Sequence, residues 1–537
     1  MTRMCELTPF LLYLIANCFC YCLMRTRNPN SIASYPTLSA SEIPDVKLKY
    51  RTACRSWTQV FPLLAYVEMI TNCRRTDQLC RLCRIEIAAP ICTLPDDVLL
   101  EIFSIYVDCV AWPDEDAWHT LVHVCQRWRS IVFASPHHLK VQLRCTNKRS
   151  AQMMLDVWPA LPIAVEFRRL PMSRLQVSSN IITALNQRDR IRKIDLSPIP
   201  VSLLRKIRAI EEPLLMLTDL KLASQDDTVS LPDSFLGGSA PCLRSLHLIG
   251  VPFPALPKIL LSTAELVTLY ASSIPHSLHT SSETIVYILS TLTKLQNLSL
   301  GFQSPQPPAD NAGRLLLPLT RVVLPALTSL HFMDYDEYLE DIVSRIDTPL
   351  LDNMTIGTFK RQVFDTRQLR CFISHTEAFK SPHRADIDIT GSESSMSLIV
   401  FSRGATSDHK LLKFTTQRLR SSFSQFCISA LPPLSTLKHL DIRKSRRRWQ
   451  GPISNRLWVD LLRLFTSVTD LVVFGATGHV ATALQGITVE GVTDVLPTLQ
   501  NLFLEVSARS GPNQEAIAQF VATRRLSDRP VTVLYDD

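Results

Sequence analysis

Between Pro241 and Leu248 the chain reads PCLRSLHL, and the phrase returns as PALTSLHF from Pro325 and as PTLQNLFL from Pro497. Each copy sets a proline two residues before a leucine, with apolar residues three and five positions beyond that leucine. Alternating apolar residues mark a strand with one buried face. Chance clustering of leucine would not be expected to repeat the proline as well.

Other copies run on either side. Upstream and central ones are Ile191-Ile194-Leu196, Leu217-Leu220-Leu222, Leu243-Leu246-Leu248, Leu266-Leu269, Leu295-Leu298-Leu300, Leu327-Leu330-Phe332 and Leu351-Met354-Ile356. Late ones are Leu437-Leu440-Ile442, Val468-Leu471-Val473 and Leu499-Leu502-Leu504. Most neighbours stand about 23–32 residues apart, close to the period of a leucine-rich repeat. The apolar runs Ile285 to Leu292 and Val459 to Phe465 read as covering helices between strands. From about residue 357 to 436 the phrase is missing, so the copies are degenerate there or an insertion intervenes.

The array resembles leucine-rich repeats of an irregular kind. The Asn or Cys usual three residues after the last strand position is replaced by Val251, Tyr335 and Ser507. The resemblance therefore implies an α/β solenoid but not a regular horseshoe. It also implies an exposed strand face used for binding.

Upstream the text changes character. From Thr93 to Leu139 it reads TLPDDVLLEIFSIYVDCVAWPDEDAWHTLVHVCQRWRSIVFASPHHL. Pro95 disfavours helix at Leu94, and Asp96 or Asp97 can cap a helix that follows. Leu99, Ile102, Phe103 and Tyr106 fall on one helical face. Pro113 and the acidic residues Asp114 to Asp116 interrupt it. A second helix is expected to carry Leu121, Val124, Cys125, Trp128 and Val132 on one stripe, ending at Ser135-Pro136. Two short helices cannot bury both faces alone, so some of these apolar groups must pack on a partner or on the rest of the chain.

This segment resembles an F-box. The matching residues are Leu94-Pro95, Asp97, Val98-Leu99, Ile102-Phe103 and the later Val124-Cys125-Gln126-Arg127-Trp128, with Ser135 to Leu139 as the exit. The stretch from Cys109 to Asp116 is longer than a minimal F-box turn. The resemblance implies that Leu94, Pro95, Leu99, Ile102, Phe103, Val124, Cys125 and Trp128 form the surface that binds a Skp-type adaptor, or the core that shapes it. Irregular leucine-rich repeats follow F-boxes in fungal and other eukaryotic proteins.

Composition narrows the alternatives. Of 537 residues, 46% are hydrophobic and 20% charged, the balance of a folded chain too long for one ordinary core. The formal net charge of +8 is small for this length and does not argue for nucleic acid. Only 14 glycines are present, and no glycine-rich phosphate loop, H-E-x-x-H or G-x-S-x-G occurs, so no cofactor and no enzymatic activity are expected.

Nine of the 15 cysteines lie in the first 92 residues. Cys73, Cys80, Cys83 and Cys92 contain one C-x-x-C pair, where a zinc site needs two half-sites, so no metal is expected. The apolar run Pro9–Met24 is shorter than the roughly 20 residues of a membrane span and lacks a good cleavage site. It reads as a buried helix or as sequence upstream of the true start, and membrane attachment is not expected. The pair Asp386 and Asp388, and the acidic Asp334-Asp336-Glu337, read as solvated loop residues rather than acid–base machinery. The basic run Arg443 to Trp449 reads as a solvated loop, with nuclear import or an acidic partner as the alternatives.

The expected protein is α/β. Residues 1–92 form a poorly ordered apolar segment and linker, 93–145 an F-box module, and 146–537 a leucine-rich-repeat-like solenoid. Its expected role is substrate-recognition adaptor of a Skp–cullin–F-box ubiquitin ligase in the cytoplasm or nucleus. The partners would be a Skp-type adaptor, through it a cullin, and an unknown protein substrate. The alternative is a leucine-rich interaction module with no ligase role.

Overall fold

Leu243, Leu327 and Leu499 each donate a backbone N–H to the carbonyl three residues back, on Ala240 (3.1 Å), Leu324 (3.3 Å) and Leu496 (3.1 Å). The repeated proline is thus the second residue of a β-turn, where its fixed φ is already correct. Pro349 holds the same place, in the turn that Leu351 closes on Thr348 (3.2 Å). These leucines are buried in the turn, and the strands start two residues later. The strand expected from Leu437 accordingly runs His439–Lys444.

A computed structural model of the protein describes residues 94–536, apart from 111–116, 147–149, 168–176, 225–228, 276–279, 304–320, 334–335, 359–365, 391–394, 403–407, 417–426, 428–430, 432–433, 445–454, 476, 490–494 and 506–511. The apolar run Pro9–Met24 and the cysteines Cys73, Cys80, Cys83 and Cys92 lie outside the described residues. Two compact units divide the chain: one holds the described residues up to Arg144 with Gln152–Ile163, the other Cys145–Ala151 with the chain from Ala164 onward.

The first unit contains α1 (Asp96–Val110), α2 (Ala117–Val122) and α3 (Gln126–Ala134). The single second helix expected from the stripe Leu121 to Val132 is in fact two, parted by a turn at His123 to Cys125. Cys125 adopts an extended backbone there (φ −156°, ψ 171°). The break is stabilised by Arg129, whose Nε donates to the Val122 carbonyl at 3.0 Å, satisfying a helix-end acceptor.

Next come β1 (Leu143–Thr146), α4 (Ala151–Val157), β2 (Ile163–Phe167), α5 (Val177–Leu185), β3 (Ile191–Leu196), α6 (Val201–Ile207), β4 (Asp219–Ala223), β5 (Ser245–Ile249) and α7 (Leu256–Leu261). There follow β6 (Thr268–Ile274), α8 (Ser282–Thr291), β7 (Asn297–Phe302), β8 (Val322–Val323), β9 (Ser329–Met333), α9 (Asp336–Arg345), β10 (Ile346–Asp347), β11 (Asn353–Thr358) and α10 (Arg367–His375). The chain closes with β12 (Arg384–Thr390), β13 (Ser395–Ser402), β14 (His409–Thr416), β15 (His439–Lys444), α11 (Asn455–Leu462), β16 (Asp470–Phe474), α12 (Thr477–Val489), β17 (Asn501–Glu505), α13 (Pro512–Leu526) and β18 (Thr532–Asp536).

Sixteen strands form one sheet in the order β1-β2-β3-β4-β5-β6-β7-β9-β11-β14-β13-β12-β15-β16-β17-β18, while β8 and β10 pair separately. The pairings from β3 to β11 and from β15 to β18 are parallel. In register, Ile194, Leu220, Leu246, Leu269, Leu298, Leu330 and Met354 form one ladder. Leu196, Leu222, Leu248, Ala271, Leu300, Phe332 and Ile356 form a second beside it. All are buried. Ile285, Ile288 and Leu289 of α8 share the wall of a cavity of about 210 Å³ with Leu248, Leu269, Leu298 and Leu300, so that helix covers the ladder side.

The stretch without the phrase is an insertion. β12, β13 and β14 form an antiparallel meander laid into the sheet in reverse. β14 pairs in parallel with β11, and β12 in parallel with β15, so among these strands β13 alone runs the other way. The ladders cross it unbroken through Leu412, Val400, Ala385 and Leu440, and through Phe414, Leu398, Ile387 and Ile442.

Gly250 (φ +61°) and Gly475 (φ +67°) end β5 and β16. A Cβ on either would lie 2.5 Å from a neighbouring carbonyl, Ser224 O or Lys444 O, so only glycine fits. Gly250 stands just before Val251, and both close approaches serve the turn from strand to helix.

Candidate functional site

In the helical unit the segment from Leu94 to Trp128 converges on one seam. Leu99 donates its backbone N–H to the Pro95 carbonyl at 3.1 Å, which starts α1 on the proline. Arg127 reaches back from α3, its Nε donating to Asp96 Oδ1 at 2.9 Å and its Nη2 to the Leu94 carbonyl. Leu99, Phe103 and Val107 turn inward, and Phe103 packs on Trp128 with ring centroids 4.6 Å apart. Behind them Trp118, His119, His123 and Phe133 surround Trp158, with Trp118 and Trp158 edge to face at 5.4 Å.

The eight residues singled out in the sequence therefore divide. Leu99, Phe103, Val124 and Trp128 are buried within the unit. Leu94, Ile102 and Cys125 are half-buried, and Pro95 is exposed. The accessible apolar stripe is Pro95, Val98 and Ile102, spaced so as to share one side of the helix start. Val98 is 40% exposed, and sequence reasoning had placed it only in an apolar pair beside Leu99. The stripe adjoins Glu101, whose carboxylate stands 3.5 Å from His138.

The second candidate surface is the sheet face opposite the ladders. Residues alternating with the buried ones line up there across the strands. At its start lie ion pairs, Lys193 with Glu166 (3.3 Å) and Lys221 with Asp195 (3.6 Å). His247 and Tyr270, neighbours in register, stack at 5.5 Å. Burial, then Lys221, holds the His247 imidazole below the usual histidine range. Next come His331, Thr355 and Lys413, aligned across β9, β11 and β14. Met333 lies across the hollow left by Gly357, where a Cβ would fall 1.9 Å from its Sδ.

Beyond Ile399 and Phe401 stands a network on β12 and β15. Arg384 binds Asp386 (2.9 Å) and Asp441 (2.6 Å) and stacks over Phe401 at 5.5 Å. Arg443 joins at Asp441 (2.9 Å). Burial pushes the Asp386 carboxyl above the usual carboxylate range, while Arg384 pulls it back. Asp386 and Asp388 thus sit in a strand, and Asp386 is buried and paired rather than solvated in a loop. Arg443 and Lys444 likewise belong to β15, and the rest of the basic run lies outside the described residues. Asp336 and Glu337 begin α9. At the far end Val472, Phe503 and Leu534 follow one another in register, an apolar close to the face.

Among the described residues no group of His, Cys, Asp and Glu side chains is arranged to hold a metal ion, and no helix is long and apolar enough to cross a membrane. No protein-family model matches this chain, and no curated protein matches it in sequence.

Proposed function

We propose that this protein is a substrate-recognition adaptor of a Skp–cullin–F-box ubiquitin ligase. The helical unit is an F-box that docks a Skp-type adaptor, and the larger unit is a leucine-rich-repeat-like solenoid that offers its strand face to a protein substrate. The chain itself performs no chemistry. It raises the local concentration of substrate beside a ubiquitin-charged enzyme supplied by other chains, in the cytoplasm or nucleus.

The observation that carries this reading is the stripe Pro95, Val98 and Ile102. The residues spaced like an F-box supply both the seam beneath it and part of the stripe itself. A second reading is a leucine-rich interaction module without a ligase role, favoured by the burial of Leu99, Phe103, Val124 and Trp128 inside the unit.

Calorimetric titration of the full chain with a purified Skp-type adaptor separates the two. Val98→Asp places a charge on the exposed stripe and leaves the seam intact. Binding by the wild type, lost in Val98→Asp at an unchanged unfolding midpoint, supports the ligase reading. A folded wild type that does not bind overturns it in favour of the interaction module.

A further inference from the structure

We infer that the sheet face at β9, β11 and β14 carries an anion site for a phosphate monoester, built from His331, Thr355, Lys410 and Lys413. The site stands whether or not the helical unit docks an adaptor.

Lys410 and Lys413 are three residues apart, which in a regular strand puts them on opposite faces. A β-bulge changes this. The register slips between Val400 and Phe401, so Lys410 pairs with Phe401, Lys413 pairs with Ile399, and Leu411 is the extra residue. Leu411 and Leu412 are both buried, and the two lysines emerge on the same side. Bulges re-aim side chains in this way beside functional sites. Lys410 Nζ approaches Thr355 Oγ1 at 3.5 Å, which brings the ammonium over the middle strand.

Among the described residues these side chains have no counter-charge. Lys193, Lys221, Arg384 and Arg443 on the same face each meet a carboxylate. Among the described residues His331, Lys410 and Lys413 meet none within ion-pair distance. Burial first, then the neighbouring lysines, lowers the affinity of His331 and of Lys410 for their protons. Like charges held together and partly desolvated favour an anion between them. On the next strand, Ile399 and Phe401 separate this cluster from the carboxylates of β12.

The dimensions fit a single phosphate. Adjacent strands lie about 4.8 Å apart, so His331 and Lys413 stand roughly 10 Å from each other with Thr355 between them, and can lean in on one anion above it. A phosphate monoester offers three acceptor oxygens and close to two negative charges, which two ammonium groups, an imidazole N–H and a hydroxyl can satisfy together. A carboxylate has one charge and two oxygens, and leaves a cation unpaired. A nucleic-acid backbone needs a longer cationic track than one cluster bounded by apolar Ile399.

The test uses the full chain in phosphate-free buffer at fixed ionic strength, with sodium chloride as the control. Inorganic phosphate should raise the unfolding midpoint in a saturable way. The Lys410→Gln, Lys413→Gln double variant should weaken phosphate binding at least tenfold, while Lys221→Gln should leave it unchanged and Lys413→Arg should largely retain it. Without phosphate the double variant should unfold at or above the wild-type midpoint, because repulsion has been removed; lysines with a structural role would give a lower one. A phosphoserine peptide that binds more tightly than glycerol 2-phosphate assigns the phosphate to a protein partner, and the reverse order assigns it to a free small molecule. No response of the wild type to phosphate, or an equal response in the double variant, overturns the site.

Discussion

Phe103 and Trp128 meet with ring centroids 4.6 Å apart and planes inclined at 56°, closing the seam between α1 and α3. Both are buried, so truncation removes core rather than surface. Phe103→Ala and Trp128→Ala should each cost about 3–5 kcal/mol. The double variant should lose less than the sum by about 1 kcal/mol, the worth of the aromatic pair. Urea unfolding followed by circular dichroism measures this, and wild-type midpoints for both single variants would rule the seam out as a core. The same burial makes these substitutions poor probes of docking, which Val98 tests cleanly.

Arg384 is the shared counter-charge of Asp386 and Asp441. Arg384→Met leaves Asp386 mostly buried without its cation beside Asp441, which keeps Arg443, and should cost about 3 kcal/mol at neutral pH. The sign with pH follows from Asp386, whose folded-state pKa is raised. Such a group contributes its stability below the unfolded pKa and loses it as pH rises through the folded one. Without the pull of Arg384 the carboxyl rises further. The deficit of the variant should therefore shrink on acidification from pH 7 to about pH 4, near the ordinary carboxylate pKa. Denaturation at both pH values checks it, and an equal deficit at each would contradict the pairing.

Gly475 and Gly301 should respond differently to alanine. At Gly475 the φ of +67° and a carbonyl 2.5 Å from the new Cβ both oppose a side chain. Gly475→Ala should cost on the order of 2 kcal/mol. At Gly301 φ is not left-handed, and the nearest atom is Met333 Cβ at 3.3 Å, a far smaller overlap. Gly301→Ala should be much milder, and thermal unfolding of the pair ranks them.

The turn prolines are exposed at Pro241, Pro325 and Pro349, and they act by restricting the unfolded chain. Pro325→Ala and Pro349→Ala should each lower stability by only about 0.4–1 kcal/mol, since the turn hydrogen bonds do not use the proline nitrogen. A loss above about 3 kcal/mol would show that the turn itself collapses.

The ladders were legible because alternation and the turn leucine repeat together, from Ile191 through Ile356 and again from Leu437. The meander was not. Ala385, Ile387 and Ile389 alternate as a strand should, but their turn leucine is absent, and their parallel neighbour in the sheet is β15, two strands removed in sequence order from the next strand β13. The break between α2 and α3 was hidden because Leu121 to Val132 keeps a helical period across it. In the helical segment from Leu94 to Trp128 the buried residues were readable as apolar positions. Which apolar residue of Val98-Leu99 faces out depends on where α3 packs. Lys410 and Lys413 escaped notice because three-residue spacing argues against a shared face, and only the bulge opposite Val400 and Phe401 overturns that.

The reversed meander also sets an order of events during synthesis. Every strand of the large sheet from β4 to β11 can settle on the previous strand of that sheet as soon as it leaves the ribosome. β11 ends at Thr358, but the strand that covers its far edge begins only at His409. Until then the nascent chain carries an open edge, and β12 emerges with no neighbour beside it at all. Unpaired edges template wrong partners. A ribosome stalled when the chain has emerged only as far as the stretch between Thr390 and His409 would hold this protein at its most adhesive stage, when growth and assembly are out of step.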